Sequence, residues 1–411
     1  MKLEELSASL RTLYAQYGYR PYKMSKFEEY ELYSGNREFL LSDNIITFTD
    51  TDGKLMALKP DVTLSIIKNT DVDVRAGATE KLFYSENVYR VPKGAEGFRE
   101  IMQTGLECIG GVDGYCVAEV LLLAAESLRA AGRRFVLDVG LPGLLAEVAA
   151  RVTPDPEVQG QLLKCAAEKS LHGIDAVAAG IAAGASGSAS GAVNAAALEA
   201  LKTLSGLYGT PEETLGEAER VAAGLGLAGE LAELKNVLAA LAETPAKDDI
   251  RIDFSVAGGR NYYSGIAFKG YVEGVPERVL SGGGYDRLVA RFIPGAKAIG
   301  FAVYLDTLER LMTPDTVQDG DVLLVYENGS PAEVLRKVQQ LAAAGLKVKA
   351  VRAAEAAKYL TRYGRILNMG TYPALNTGTD PASGFLNTGT DPASGFGAAD
   401  TGRAGEGGGG K

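Results

Sequence analysis

The stretch from Lys81 to Gly110, KLFYSENVYRVPKGAEGFREIMQTGLECIG, constrains this chain more than any other. It reads as two strands, residues 82–91 and 99–109, joined by a loop that Pro92, Gly94 and Gly97 punctuate as turn chemistry does. Arg90 and Arg99 therefore stand at the two sides of the loop. On the return strand the period-2 alternation sends Gln103 and Glu107 to one face with Gly105 between them, a polar floor with a small gap. Guanidinium forks pair with anions and a carboxylate takes an ammonium, so this set suits a zwitterionic or phosphorylated small molecule. The alternative is an open sheet face, since Arg, Gln and Glu at alternate positions of an antiparallel strand usually meet water.

The same string resembles motif 2 of class II aminoacyl-tRNA synthetases. Within it, Gln103-Thr-Gly-Leu-Glu107-Cys-Ile-Gly110 is most similar to the histidine-specific branch. Other segments of that family follow in order. Arg20 to Gly35 resembles motif 1, the dimer-forming element, with Ser25 in place of its usual proline. Leu58-Lys-Pro-Asp61-Val-Thr63 resembles the segment whose acid and threonine hold the amino acid's ammonium; by itself it reads as a turn or N-cap before a helix over 62–68. Tyr262-Tyr263-Ser-Gly resembles the signature whose tandem tyrosines line the imidazole pocket, although aromatic pairs in strands are usually core. Ser281-Gly-Gly-Gly-Tyr285-Asp286 is similar to the family's glycine-rich strand, and residues 298–303 followed by a helix over 306–311 resemble motif 3. The resemblance implies an α+β fold: a class II synthetase-like antiparallel sheet core with flanking helices, over residues 1–140 and 249–315. Its implied amino-acid pocket comprises Asp61, Thr63, Arg90, Arg99, Gln103, Glu107, Tyr262, Tyr263 and Tyr285.

The rest of the chain is read from pattern. Leu6, Leu10, Leu13, Tyr14 and Tyr17 mark an opening amphipathic helix that stops at Gly18. Residues 141–248 turn to Ala, Leu and Glu with Gly/Ser breaks, a helical insertion at the point where the synthetase branch also carries one. From Asp321 the pattern is β-α-β-α, ending in a helix to Tyr363, and residues 320–370 resemble a truncated anticodon-binding domain. Residues 371–411, in which LNTGTDPASGF occurs twice in succession, carry no packing pattern and are expected to be disordered.

Composition narrows the function classes. The 411 residues carry 42 Lys and Arg against 52 Asp and Glu, a net charge of -10, without a basic stripe interleaved with aromatics, which argues against a nucleic-acid partner. No apolar run approaches the ~18 to 20 residues that span a bilayer, and the start MKLEELSASLRTLY lacks the basic and apolar blocks of a signal peptide, so a cytoplasmic location without membrane contact is expected. Cys108, Cys116 and Cys165 have neither metal-ligand nor disulfide-framework spacing and are expected as reduced thiols. His172 has no companion at ligand spacing, so it reads as a surface or packed residue. No cofactor or metal is implied.

The departures from the family pattern decide the functional expectation. Adenylate formation needs positive charge on the phosphates. Where motif 2 has Phe-Arg-x-Glu this chain has Tyr89-Arg90-Val91-Pro92, and where motif 3 has its arginine it has Thr307, with Arg310 one turn later and Tyr304 in place of a glycine. The branch's catalytic arginine is Gly258, and the arginine of its glycine-rich strand is Gly284. The loss of one such donor commonly costs ~3 kcal/mol or more in the transition state. A chain that keeps the amino-acid pocket and lacks these cations resembles the regulatory subunits of ATP phosphoribosyltransferase, paralogues of histidyl-tRNA synthetase. That resemblance implies no catalytic residue, a short-form catalytic subunit as partner in a hetero-octamer, self-association as a dimer, and histidine as feedback effector in the first step of histidine biosynthesis. An active histidyl-tRNA synthetase, or a paralogue that makes another adenylate or modifies a protein, stands as the alternative.

Overall fold

The structure, a computed structural model, describes residues 3–40, 44–91, 97–182, 193–256, 262–309 and 320–369. It divides into two compact units, up to Pro314 and from Asp315.

The central hairpin forms, longer than the alternation alone predicts. Strands Thr79–Arg90 and Arg99–Gly110 pair antiparallel along their whole length, from Thr79 opposite Gly110 to Arg90 opposite Arg99. On the far side of Arg99–Gly110 runs Lys297–Tyr304, with Tyr304 opposite Gln103 and Lys297 opposite Gly110. Leu280–Gly284, Ala267–Val272, Phe135–Gly140, Ile250–Asp253 and Tyr208–Gly209 continue the nine-stranded sheet in that order, and Arg20–Pro21 closes its other edge. The five successive pairs from Thr79–Arg90 across to Phe135–Gly140 are antiparallel as expected. Parallel pairing occurs at Arg20–Pro21 with Thr79–Arg90, and at Phe135–Gly140 with Ile250–Asp253.

Each face of this sheet carries its own apolar cluster, because successive side chains leave a strand on opposite sides. Phe83, Leu106, Cys108, Phe301 and Val303 face the opening helix Leu3–Gln16 and the helix Gly114–Arg129. Leu82, Tyr84, Ile101, Ile109 and Ala298 face the helix Thr63–Lys68, the short helix Asp286–Val289 and the motif 1 segment. The opening helix buries Leu6, Leu10 and Tyr14 on one stripe, and Gly18, at φ +82°, takes the left-handed turn that ends it.

The residues between Gly140 and Ile250 fold as helices, among them Pro142–Val152, Pro156–Ala167, Ala195–Gly206, Pro211–Gly224 and Ala232–Leu241, and they share the first cluster with the sheet. The Gly/Ser run at 184–191 lies outside the described residues, as do Pro92, Gly258, Arg310 and the repeat tail.

In the second unit Gly320–Tyr326 pairs in parallel with Val348–Arg352 on one side and Tyr363–Met369 on the other, with helix Pro331–Ala343 as the crossover. The last strand corrects the expected terminal helix. Only a short 3-10 turn, Ala353–Lys358, forms before the chain extends again. Tyr363 and Ile366 pack with Leu323, Val325 and Val351, and this tertiary burial outweighs the helical preference of the Ala-rich run. No helix among the described residues is long and apolar enough to cross a membrane.

Candidate functional site

The site starts from the alternation on Arg99–Gly110. Gln103 and Glu107 leave the strand on the side of the second cluster, and both are buried, at 5% and 2% exposure. The open-sheet alternative is thereby overturned, since the helix Thr63–Lys68 and the tyrosines at 262 and 285 lie over this face. The gap at Gly105 is filled from within the protein. A Cβ there would lie 2.2 Å from the Phe301 carbonyl oxygen and 2.6 Å from the Tyr84 hydroxyl, so glycine lets Tyr84 and the neighbouring strand close on the floor.

Glu107 is the centre of the pocket. Thr63 Oγ1 donates to its Oε1 at 2.8 Å, and the Tyr285 hydroxyl donates to its Oε2 at 2.6 Å. A Cβ at Gly300, on the facing strand, would lie 1.8 Å from Oε2, so that glycine makes room for the carboxylate. Burial pushes the Glu107 carboxyl up to about 8; the hydroxyls of Tyr285 and Thr63 pull it down, and the charge of Asp61 adds to the rise. Burial thus biases Glu107 toward its protonated form, and a cation brought beside it would favour release of the proton.

Asp61 and Arg90 line the same pocket, with Asp61 within charge range of both Arg90 and Glu107. Asp61 Oδ1 accepts the Leu64 amide at 2.9 Å, the capping role that its place before the helix predicts. Burial raises its carboxyl, while the Leu64 amide and then the Arg90 guanidinium hold it down. Arg90 is 8% exposed, and no carboxylate among the described residues lies within 4 Å of it. A desolvated guanidinium without a close counter-ion favours an incoming anion. Its position is fixed from behind: the fully buried Lys59 pairs with Glu86 at 2.5 Å, and its carbonyl accepts the Tyr89 amide at 2.9 Å, tying the Asp61 segment to the hairpin.

The tyrosines close the pocket. Tyr262 and Tyr263 meet edge to face at 4.9 Å between ring centres, and Tyr262 lies 6.2 Å from Tyr285. Gly283 gives Tyr263 its place, since a Cβ there would come within 2.6 Å of the ring. At the far wall the Tyr304 hydroxyl and Ser281 Oγ hydrogen-bond at 2.7 Å. Tyr84, Ser281 and Gly300 are lining residues that the sequence pattern does not single out; only the strand register brings them beside Glu107, through Tyr84 opposite Gly105 and Gly300 opposite Glu107.

Of the nine expected pocket residues, Asp61, Thr63, Arg90, Gln103, Glu107, Tyr262, Tyr263 and Tyr285 line this one cavity. Arg99 does not; it is exposed. Lys297–Tyr304 stops pairing at Gln103, short of Arg99, whereas the Lys59 carbonyl bonds the hairpin beside Arg90, at the Tyr89 amide. His172 is exposed, Cys108 and Cys116 are buried free thiols, and Cys165 is half-buried. A Cβ at Gly284 would sit in ordinary van der Waals contact, 3.7 Å from the Ala298 carbonyl oxygen, and Thr307 is half-buried on Leu305–Glu309.

A mainly antiparallel sheet whose central strands carry a buried polar pocket, with the motif 2 hairpin and the motif 3 strand side by side, defines a class II synthetase-like protein. More narrowly, the family model described as Histidyl-tRNA synthetase matches residues 1–308, and the chain belongs to that family. An ATP phosphoribosyltransferase regulatory subunit from Oceanobacillus iheyensis is 24% identical over 352 residues, 85% of this chain and 84% of the relative. Among solved structures, an ATP phosphoribosyltransferase regulatory subunit/histidyl-tRNA synthetase from Bacillus halodurans C matches with a TM-score of 0.74 at 21% identity, covering 89% of this chain and 93% of that one. The ATP phosphoribosyl transferase (HisG:HisZ) complex from Thermotoga maritima matches with a TM-score of 0.52 at 17% identity, over 73% and 96% of the two chains.

Proposed function

We propose that this chain is a non-adenylating regulatory subunit of ATP phosphoribosyltransferase, and that its pocket binds histidine as the feedback signal. The observation that carries the reading is the presence in one pocket of a buried Glu107, biased by burial toward its protonated form, and a buried Arg90 with no carboxylate within 4 Å among the described residues. A zwitterion answers both: its ammonium, with Asp61 nearby, draws the proton off Glu107, and its carboxylate meets Arg90 and Gln103. The tyrosines at 262, 263 and 285 then supply an aromatic wall for the imidazole. Arg99 takes no part.

Two of the arginines that the family resemblance places on the phosphate side are missing from the sequence. Gly284 and Thr307 stand where the family resemblance puts arginines, and Tyr304 with Ser281 fills the wall where that resemblance puts a glycine. The names of the relatives support the regulatory role, and the Thermotoga maritima complex supports a catalytic partner chain. In this reading the chain joins a short-form catalytic subunit in a hetero-octamer built on dimers, in the cytoplasm, with residues 141–248 as an inserted helical domain and 320–370 as a reduced anticodon-binding-like piece.

The test is histidine-dependent ATP-pyrophosphate exchange by the purified chain, run beside co-purification from the source cell. The expected result is no exchange and recovery of the phosphoribosyltransferase. Robust exchange without that partner assigns the chain to the histidyl-tRNA synthetases instead.

A further inference from the structure

On the face that carries the pocket, one row of residues crosses the sheet in register: Gly105, Ala302, Ser281, Lys269, Asp138 and Arg251. Ser281 is the last of them to line the pocket. Asp138 lies four strands from Gly105, about 19 Å away at the usual ~4.8 Å spacing.

Asp138 and Lys269 are directly opposed, and neither satisfies the other. Asp138 is 8% exposed, and its Oδ1 is buried without a hydrogen-bond partner among the described residues. Lys269 is half-buried, and no carboxylate among the described residues lies within 4 Å of its ammonium. The neighbouring Asp253 is fully engaged: Oδ1 accepts the Ser255 amide at 2.8 Å and hydroxyl at 2.6 Å, and Oδ2 pairs with Lys169 at 3.0 Å. Buried carboxylates in this protein are normally satisfied, and the exception sits beside an unpaired cation. Burial raises the Asp138 carboxyl to about 6, with Asp253 adding to the rise while Lys169, a hydrogen bond from the Tyr208 hydroxyl and the Lys269 charge hold it back; burial and then Arg278 lower Lys269, against the charges of Asp253 and Asp138.

We propose that Asp138 and Lys269 form a second binding site, for a free α-amino acid, with Asp138 taking its ammonium and Lys269 its carboxylate. Opposed residues of an antiparallel pair stand about 5 Å apart, and an α-amino acid carries its two charges on one carbon. An anion alone is repelled by Asp138, a cation alone by Lys269, and a neutral amide leaves both charges uncompensated. Tyr271, two residues along from Lys269 and on the same side, flanks the ligand's side chain.

The experiment is equilibrium dialysis of radiolabelled L-histidine against the full chain at saturation. The parent is expected to bind two molecules per chain, Asp138→Asn and Lys269→Met one each, Glu107→Gln one, and Glu107→Gln combined with Asp138→Asn none. Lys269→Arg, which keeps the cation, retains two and guards against simple misfolding of the other variants. A parent that binds one molecule, lost only with Glu107→Gln, overturns the second site and leaves the first pocket standing. Binding lost only with the Asp138 and Lys269 variants overturns the first pocket and leaves the second. Two molecules bound by every one of these variants overturns both.

Discussion

Replacing Glu107 with glutamine should make the empty protein more stable and the pocket useless. The carboxyl rises from an ordinary 4.5 to about 8 in the folded chain. Below pH 4.5 both folded and unfolded chains hold the proton, and this group contributes no loss of stability. Between 4.5 and 8 the unfolded chain releases it while the native pocket keeps it, so stability falls by ~1.4 kcal/mol per pH step until the loss is complete above 8. The full fall is roughly 5 kcal/mol as a ceiling, and glutamine, which never ionises, escapes it. Glutamine also retains hydrogen-bond capacity toward Tyr285 and Thr63, since a hydroxyl can accept as well as donate. Urea unfolding of parent and Glu107→Gln without ligand should therefore give near-equal midpoints at pH 4.5 and a higher midpoint for the variant at pH 8.5. Added histidine should stabilise the parent more than the variant, in which only the Asp138–Lys269 site remains, because the ligand's cation loses in this pocket a carboxylate worth about 2 to 5 kcal/mol in buried pairs. A variant no more stable than the parent at pH 8.5, or stabilised by histidine as much as the parent is, would refute the burial-driven rise and the role assigned to it.

Binding should also release protons. With Glu107 at about 8 when empty and ionised when paired, titration calorimetry at pH 7 in buffers of different ionisation enthalpy should show about 0.9 protons released per ligand at this carboxyl; a figure near zero contradicts the pairing. Gly300→Ala places a Cβ against both Glu107 Oε2 and the Leu106 carbonyl oxygen, so it should cost about 1 to 3 kcal/mol in denaturant unfolding and weaken histidine binding together. Parental values for both would show that the strand gives way freely. Lys59→Met leaves Glu86 without its 2.5 Å partner and loosens the support behind Arg90; a loss of about 3 to 5 kcal/mol is expected, read by the same unfolding assay, whereas an unchanged midpoint contradicts the buried pair.

Sequence alternation was enough to place Gln103 and Glu107 on one face, because the period of a strand is a local property. It was not enough to bury them. That depends on what covers the sheet, and the cover comes from residues 63–68 and from tyrosines more than 150 positions downstream of the hairpin, through contacts such as Tyr285 to Glu107. Arg90 and Arg99 look equivalent in sequence, one on each side of the loop, yet Arg99 lies beyond the end of pairing at Tyr304 and is exposed, while Arg90, beside the Lys59 bond to the hairpin, is buried. Gly105 was legible as a small gap in the floor, but that Tyr84 and the neighbouring strand close on it follows only from the register. The orphaned Asp138 carries no local signal at all; only the register with Lys269 reveals it.

The central claim is that this chain regulates phosphoribosyl transfer and forms no adenylate. It is tested most directly by adding the purified chain to a short-form ATP phosphoribosyltransferase catalytic subunit and following the rate of phosphoribosyl transfer against histidine concentration. The account predicts a rate that rises with the chain up to a fixed stoichiometry and then falls as histidine is added, with the fall abolished in Glu107→Gln while the rise is kept. A catalytic subunit whose rate is indifferent to the chain contradicts the regulatory role, and a Glu107→Gln complex inhibited at the parental histidine concentration contradicts the placement of the sensor in this pocket.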